Sequence, residues 1–208
     1  MKKVIYTAII DDYDTVKKPL FVNEDFDYIL FTNVDIQSDF WTVIRVMGSG
    51  VKAARKIKIR CDEYLKDYDL SIWLDANIQQ KTDMNYFIKE MDKCDMITMQ
   101  HPSRNCIYQE VAACLHWKKD KLSIMNKQVD RYKKLKYPTN NGLIASGILI
   151  RWHNRTIKNL MKDWNHEVQN YSHRDQLSFN YCLTKHDVKL GLIPYSVLQS
   201  HFNYGRHK

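Results

Sequence analysis

The segment Leu70-Ser71-Ile72-Trp73-Leu74-Asp75-Ala76-Asn77, residues 70–77, is a mostly apolar run that ends on an acidic residue. A short apolar run bounded by polar residues is typical of a buried β-strand. Asp75 then stands at the carboxyl end of that strand, the edge at which open α/β sheets bind their ligands. The segment therefore predicts a strand of a central sheet and a polar site at the edge of that sheet.

Similar apolar runs recur along the chain and alternate with segments of helical periodicity. Strands are predicted at 4–10, 28–32, 41–46, 95–99 and 143–150, and helices at 52–65, 84–91, 108–132, 156–171 and 175–184. The helix at 108–132 is expected to break near residues 118–121, and the tail after Pro194 is expected to be irregular. This alternation predicts an α/β fold with a mixed, mostly parallel central sheet flanked by helices. No linker or internal repeat is visible, so we expect a single domain over residues 1–208.

The composition bears on the compartment and on the partners. Five cysteines are scattered without a Cys-x-x-Cys pair, which favours a reducing compartment. No apolar run approaches the roughly 20 residues that span a bilayer, and the run at 4–10 leads into Asp11 without a signal-peptide cleavage site. We therefore expect a soluble, cytoplasmic protein. The formal net charge of +8 favours anionic partners and leaves nucleic acid, a membrane surface and phosphorylated small molecules open.

Asp75 and Asn77 carry oxygen-bearing side chains two residues apart, so both can face one ion. Oxygen ligands suit Mg²⁺ or Mn²⁺, and such an ion can bridge a diphosphate and stabilise it as a leaving group. A strand-end Asp can instead cap the following helix. Near the C-terminus, His201 is either a third metal ligand, as a neutral imidazole, or a surface residue.

Two basic residues precede this acidic turn. Arg55 and Lys58 lie three positions apart on a predicted helix and therefore share one face. Arg and Lys at such positions can clamp phosphate oxygens, Arg through two bonds at once. The alternative is a solvated basic helix face.

Two later segments combine small and polar residues. Residues 140–147 include Ser146 and two glycines, which allow either a close approach of a ligand or tight strand–helix packing. Residues 172–179 place Asp175 and Gln176 in the first turn of a predicted helix. These two side chains either anchor a sugar or complement the helix dipole.

Several short segments, in order over nearly the whole chain, together resemble a known family. They are Ile5-Tyr6-Thr7-Ala8-Ile9 with Asp12-Tyr13-Asp14, Tyr28-Ile29-Leu30-Phe31-Thr32, Ala54-Arg55-Lys56-Ile57-Lys58, residues 71–78, residues 101–110 and Arg174-Asp175-Gln176-Leu177-Ser178-Phe179. The chain resembles the TOD1/MUCI70-type family of glycosyltransferase-like proteins, formerly a domain of unknown function. Chlorella-virus GT-A glycosyltransferase domains are similar.

The resemblance implies a GT-A fold, a UDP-linked nucleotide-sugar donor, and a Mn²⁺ or Mg²⁺ ion. It assigns the base and ribose to Thr7, Ala8 and Tyr13, the diphosphate to Arg55 and Lys58, and the metal to Asp75, Asn77 and His201, with Ala76 in the same turn. It places Ser146, Asp175 and Gln176 around the sugar. Asn77 departs from the commoner Asp-x-Asp pattern and lowers the charge of the metal site.

We therefore expect a metal-dependent glycosyltransferase that moves a sugar from a UDP-sugar to a hydroxyl of an acceptor such as a glycan. Retention of configuration is favoured, and a retaining enzyme could use Asp175 or Gln176 as its catalytic residue. An inverting enzyme would need a carboxylate base, for which Glu110 and Asp175 are the candidates. The alternatives are a metal-dependent phosphohydrolase and a degenerate member that binds the donor without transferring it. A nucleic-acid binder is not expected, because no recognised binding module is present.

Overall fold

The computed structural model describes residues 1–205 and 208 of the chain. The strands are β1 (Lys3–Ile9), β2 (Asp27–Thr32), β3 (Thr42–Arg45), β4 (Leu70–Leu74), β5 (Ile78–Gln80), β6 (Met96–Gln100), β7 (Ile144–Trp152), β8 (Leu190–Ile193) and β9 (Phe202–Tyr204). The helices are α1 (Gly50–Ile59), α2 (Cys61–Tyr64), α3 (Asn85–Ile88), α4 (Ile107–His116), α5 (Leu122–Lys134), α6 (Arg155–Asn170), α7 (Gln176–Leu183) and α8 (Tyr195–His201), with a 3-10 helix at Lys89–Asp92.

Seven strands form one sheet in the order β3-β2-β1-β4-β7-β6-β8. β1 pairs in parallel with β2 and β4, β2 with β3, and β6 with β8. β7 alone in this sheet runs antiparallel to its neighbours, β4 and β6. The predicted mixed, mostly parallel sheet is confirmed. Because β7 is reversed, its first residues lie at the edge where the parallel strands end.

Apolar layers cover both faces of the sheet. Along β1, Val4 and Tyr6 face one layer, which includes residues of α1, α4, α5, α6 and α7. Ile5 and Ile9 face the other layer, with Phe87 of α3. A sheet covered on both faces needs strands without alternating polar positions. This is why every residue of β4 is buried although Ser71 is polar.

Two of the predicted helices are interrupted. The helix predicted over 52–65 is two helices, because the backbone at Arg60 leaves the helical region with φ −90° and ψ 49°. The helical zone predicted over 108–132 breaks as expected, between the end of α4 at His116 and the start of α5 at Leu122. Lys118 lies in this break and adopts a positive φ of 50°.

The expectation of an irregular tail after Pro194 is wrong. α8 begins directly after Pro194, and β9 then pairs antiparallel with β5, with Phe202 opposite Gln80. The strand β8 was also not predicted. β8 and β9 have four and three residues, and they form because neighbouring strands supply their hydrogen-bond partners. Within the described residues, no helix combines the length and the apolar character needed to cross a membrane.

Candidate functional site

A cavity of about 670 Å³ opens at the edge of the sheet where the parallel strands end. Its walls come from the segment after β1, from one face of α1, from the turn after β4, from the start of β7, and from residues 173–176. This volume lies within the range of roughly 300–1,000 Å³ that is usual for small-molecule sites. The cavity is therefore large enough for a whole cofactor or substrate.

One face of α1 lines the cavity. Gly50, Ala54 and Lys58 follow one another at intervals of four residues, and Val51 and Arg55 form a second row beside them. The first helical residue, Gly50, has a φ of +74°, a conformation that favours glycine. The N-terminal end of α1 therefore opens into the cavity, and helix N-termini attract anions. Its first amide, that of Gly50, already donates to Oδ2 of Asp11 at 2.5 Å.

Two side chains from the sheet hold the C-terminal end of α1 in place. The buried Arg151 donates hydrogen bonds to the carbonyl oxygens of Lys58, at 3.0 Å, and Ile59, at 3.3 Å. The hydroxyl of Tyr6 donates to the same Lys58 carbonyl at 2.8 Å. These bonds satisfy carbonyl groups that the helix itself leaves free at its end. They hold the backbone of Lys58 against the sheet.

The side chain of Lys58 is 1% exposed and joins two acidic residues at the floor of the cavity. Its Nζ lies 2.8 Å from Oδ2 of Asp175 and 3.3 Å from Oδ1 of Asp75. It also donates to Oγ of Ser146 at 3.0 Å, and that hydroxyl donates to Oδ2 of Asp175 at 2.8 Å. Each buried charge in this cluster therefore has a close partner of opposite sign, as burial requires.

Asp175 is an anion held by cations. Burial alone would raise the pKa of its carboxyl group, but Arg55, Lys58 and Arg174 together hold that pKa well below its usual range. The backbone of Asp175 is fixed as well, because the buried Trp164 indole donates to its carbonyl oxygen at 2.9 Å. A carboxylate with so low a pKa is a poor proton acceptor near neutral pH. In this structure the carboxylate contacts Lys58, Arg55 and Ser146.

Asp75 and Asn77 lie at the edge of the cavity as the sequence predicts. Oδ1 of Asp75 accepts hydrogen bonds from the Trp73 indole at 2.7 Å and from Lys58. Asn77 Nδ2 donates to the carbonyl oxygen of Gly205 at 3.0 Å. In the described part of the chain, Asp75 Oδ2 and Asn77 Oδ1 accept no hydrogen bond, so one carboxylate and one amide oxygen remain for a ligand.

This pair of oxygens fits a hard divalent cation. Mg²⁺ is commonly bound by one or two protein side chains and completed by water and the phosphates of a substrate. Among the described residues, no cluster of three or more His, Cys, Asp or Glu side chains can hold a metal without such help. A cation at Asp75 and Asn77 would therefore depend on the oxygens of a bound ligand.

Gly147 allows this turn to approach β7. The amide of Asp75 donates to the Gly147 carbonyl at 2.9 Å. A Cβ at position 147 would lie 2.9 Å from Cδ1 of Ile78 and 3.4 Å from Oδ2 of Asp75. Any larger residue would therefore push against the turn that carries the candidate metal ligands.

Most of the residues predicted for the site do line the cavity. They are Ala8, Tyr13, Arg55, Lys58, Asp75, Ala76, Asn77, Ser146, Asp175 and Gln176. They come from five separate segments, which the sheet brings to one edge.

Three predicted residues are not brought to this cavity. Thr7 is buried within β1, one residue before the strand reaches the cavity at Ala8. Glu110 lines a smaller neighbouring cavity, where its Oε2 lies 2.7 Å from Nε of Arg104. His201 is at the end of α8, where its Nδ1 lies 2.6 Å from Oγ1 of Thr82 and its ring stacks on Tyr86. We therefore leave these three residues out of the candidate site.

Other cavity residues were missed by the sequence analysis. The indole of Trp73 donates a hydrogen bond to Asp75. In the sequence, a Trp within an apolar strand is typical of an ordinary core residue. Arg174 lines the cavity but was given no role, although it lies beside Asp175 in a segment that carries the family resemblance. Trp117 and His173 also line the cavity, and nothing in the local sequence pattern marks them.

The mostly parallel sheet, its single reversed strand and an acidic turn at its edge define a GT-A-like glycosyltransferase fold. The family model of the TOD1/MUCI70 glycosyltransferase-like domain matches residues 40–197, and the chain belongs to this family. The match includes most of the candidate site, from Arg55 to Gln176, and supports a glycosyltransferase. It leaves out β1 and the segment that follows it.

Comparison with the solved structure of a glycosyltransferase agrees on the fold. The apo form of mouse xyloside xylosyltransferase 1 aligns with a TM-score of 0.50 and 11% identity, over 92% of this chain and 84% of that chain. Protein A197 from STIV aligns with a TM-score of 0.42 and 9% identity, over 93% of this chain and 82% of that chain. A search of curated protein sequences finds no match.

Proposed function

We propose that the protein is a metal-dependent glycosyltransferase that moves a sugar from a UDP-sugar to a hydroxyl group of a glycan. The observation that carries the proposal is the buried Lys58, held between Asp75 and Asp175 at the floor of the cavity. In a member of a glycosyltransferase-like family, this arrangement supplies both a cation for a diphosphate and an acidic residue for a metal.

The donor diphosphate would lie against α1. The N-terminal end of this helix, the guanidinium of Arg55 and the ammonium of Lys58 all face the cavity. Burial alone would lower the pKa of Arg55, but Asp175 and Asp75 raise it, so its charge is maintained. Fixed positive groups of this kind stabilise the negative charge that develops on a leaving diphosphate. Ala8 and Tyr13, on the β1 side of the cavity, would hold the base and ribose.

The divalent cation, Mn²⁺ or Mg²⁺, would be held by Asp75 and Asn77. When bound, it would neutralise charge on the diphosphate and make it a better leaving group. Trp73 orients Asp75 by its indole hydrogen bond, and the backbone of Gly147 positions the same residue from β7. The amide of Asn77 contributes an oxygen without adding charge, so metal binding should depend on the nucleotide.

The arrangement of the carboxylates favours retention of configuration. An inverting enzyme needs a carboxylate that accepts a proton from the acceptor. Asp175 is held by cations that keep its pKa very low, and Glu110 is paired with Arg104. Neither predicted base is free, whereas retention does not demand such a base.

The experiment is calorimetric titration of UDP in the presence of Mn²⁺ and again with EDTA. Asp75→Asn removes the charge at the candidate metal site and keeps the shape of the side chain. Asp67→Asn is the matched control, because Asp67 is exposed and precedes the same strand, β4, at its opposite end. We expect Mn²⁺-dependent binding of UDP that is lost in Asp75→Asn and kept in Asp67→Asn.

This titration, together with assays of sugar transfer and of phosphate release, separates the alternatives. Absence of UDP binding with Mn²⁺ present would contradict the proposed donor. UDP binding without hydrolysis or transfer from any UDP-sugar would indicate a degenerate protein. Release of phosphate from phosphomonoesters would favour the phosphohydrolase.

A further inference from the structure

A second, smaller cavity of about 180 Å³ adjoins the first. Four residues line both cavities, namely Trp117, Lys119, Arg174 and Gln176. The remaining walls come from His101, Arg104, Glu110, Ala113 and Cys114. This volume is below the roughly 300–1,000 Å³ of sites that enclose a whole ligand. It suits one end of a molecule that continues into the larger cavity or into solvent.

The walls of this smaller cavity carry more positive than negative charge. Arg104, Lys119 and Arg174 are cationic, and Glu110 is the one acidic residue among the described lining residues. Glu110 is matched by Arg104, with 2.7 Å between its Oε2 and the Arg104 Nε. At the wall shared with the larger cavity, Lys119 therefore adds positive charge that no acidic lining residue of the smaller cavity matches, and Arg174 divides its charge between this wall and Asp175.

Arg174 is the best placed of these cations for recognising an anion. One of its terminal nitrogens donates to Gln176 at 2.9 Å. Its Nε is buried and has no hydrogen-bond partner among the described residues. Arg174 lines both cavities, and a planar guanidinium is suited to the two oxygens of a carboxylate. Asp175, its neighbour in sequence, is hydrogen-bonded by Lys58 and Ser146 and also attracts the charge of Arg174.

Trp117 lies at the junction of the two cavities and is 68% exposed. Its ring meets the ring of His116 edge-on, with 4.9 Å between the centroids. An exposed aromatic face offers apolar contact with the ring of a sugar. Trp117 therefore provides a wall for a sugar whose charged group points toward Arg174.

From these contacts we infer that the smaller cavity is an acceptor subsite for a sugar unit that carries a carboxylate. This inference rests on the proposed function, which places the donor in the larger cavity. The acceptor sugar would stack on Trp117, direct its carboxylate to Arg174 and Lys119, and extend its reacting hydroxyl past Gln176 toward the donor.

The test uses methyl β-D-glucuronide and methyl β-D-glucoside, two probes that differ in the carboxylate. Binding is followed by protein-observed NMR on the full chain. A charge-assisted contact to a carboxylate should favour the glucuronide by about tenfold. Equal affinity for the two probes would overturn the inference, as would equal or tighter binding of inorganic phosphate at the same resonances.

A pair of matched variants locates the binding. Ala113→Phe places a large ring in the smaller cavity, whereas Ala112→Phe places the same ring at an exposed neighbouring position of α4. We expect glucuronide binding to be lost in Ala113→Phe and retained in Ala112→Phe. Retention in both variants would place the sugar elsewhere and overturn the inference.

Titration of UDP with Mn²⁺ on the same variants separates this inference from the proposed function. Ala113 does not line the larger cavity, so Ala113→Phe should bind UDP as the unmodified protein does. UDP binding without a preference for the glucuronide would contradict the acceptor inference and leave the proposed function standing. A preference for the glucuronide without UDP binding would support a site for an acidic sugar. It would contradict UDP as the donor.

Discussion

The ammonium group of Lys58, on α1, lies 2.8 Å from the carboxylate of Asp175, the residue that caps α7, and both side chains are almost completely buried. The pair joins segments that are far apart in the chain and forms the floor of the candidate donor site. Because the same ammonium also lies 3.3 Å from Asp75, stability and ligand binding depend on one small group of charges.

Removal of one partner of this pair should strongly destabilise the protein. Asp175→Asn leaves Lys58 and the half-buried Arg55 without their main counter-charge, and breaking a buried ion pair costs about 3–5 kcal/mol. The double variant Lys58→Met/Asp175→Asn removes both charges, so its loss should be smaller than the sum of the two single losses. Urea unfolding of the four proteins measures this coupling. Additive losses would show that the pair is energetically independent.

Acid should weaken the fold partly through Asp175. The pKa of this carboxyl is held well below that of an Asp in the unfolded chain, which is about 3.9. Its stabilising contribution is therefore complete above that value and is lost as the pH falls below about 4. The free energy of unfolding should fall less steeply in Asp175→Asn than in the unmodified protein. Asp83→Asn, at an exposed carboxyl whose pKa is also lowered, should change the slope less.

Gly147→Ala should disturb the candidate metal site. The added methyl group would lie 2.9 Å from Ile78 and 3.4 Å from the carboxylate of Asp75. Gly191→Ala is the control, since its Cβ would also lie 2.9 Å from an isoleucine, Ile97, on strands remote from Asp75. Overpacking costs about 1–3 kcal/mol, so thermal unfolding should show both variants destabilised. Only Gly147→Ala should weaken Mn²⁺-dependent binding of UDP, and equal weakening by both would contradict the geometry.

Asn77→Asp should strengthen metal binding. The substitution replaces an amide oxygen by a charged one at the position where the family resemblance expects an acid, and hard cations prefer carboxylates. It also removes the Asn77 hydrogen bond to Gly205, a small loss at a partly exposed position. Titration of Mn²⁺ in the presence of UDP should give a lower dissociation constant for Asn77→Asp than for the unmodified protein. A higher constant would indicate that Asn77 does not face the ion.

The strands of the sheet and the edge position of Asp75 follow from local patterns. Residues 70–74 form an uninterrupted buried run, and such a run predicts a strand because its side chains must be covered on both faces. The helical spacing of Arg55 and Lys58 likewise predicts that they share a face. Both predictions depend on residues that are close together in the chain.

The sequence by itself therefore determined the class of fold and the edge at which the site forms. Only the tertiary structure decided which side chains meet there. The reversal of β7 carries Ser146 to the edge beside Asp75 and Lys58, and no local pattern records the direction of that strand. The pairing of β9 with β5 placed His201 beside Thr82, and α4 placed Glu110 in the second cavity. Contacts between distant segments depend on strand order and helix packing, which periodicity within one segment does not encode.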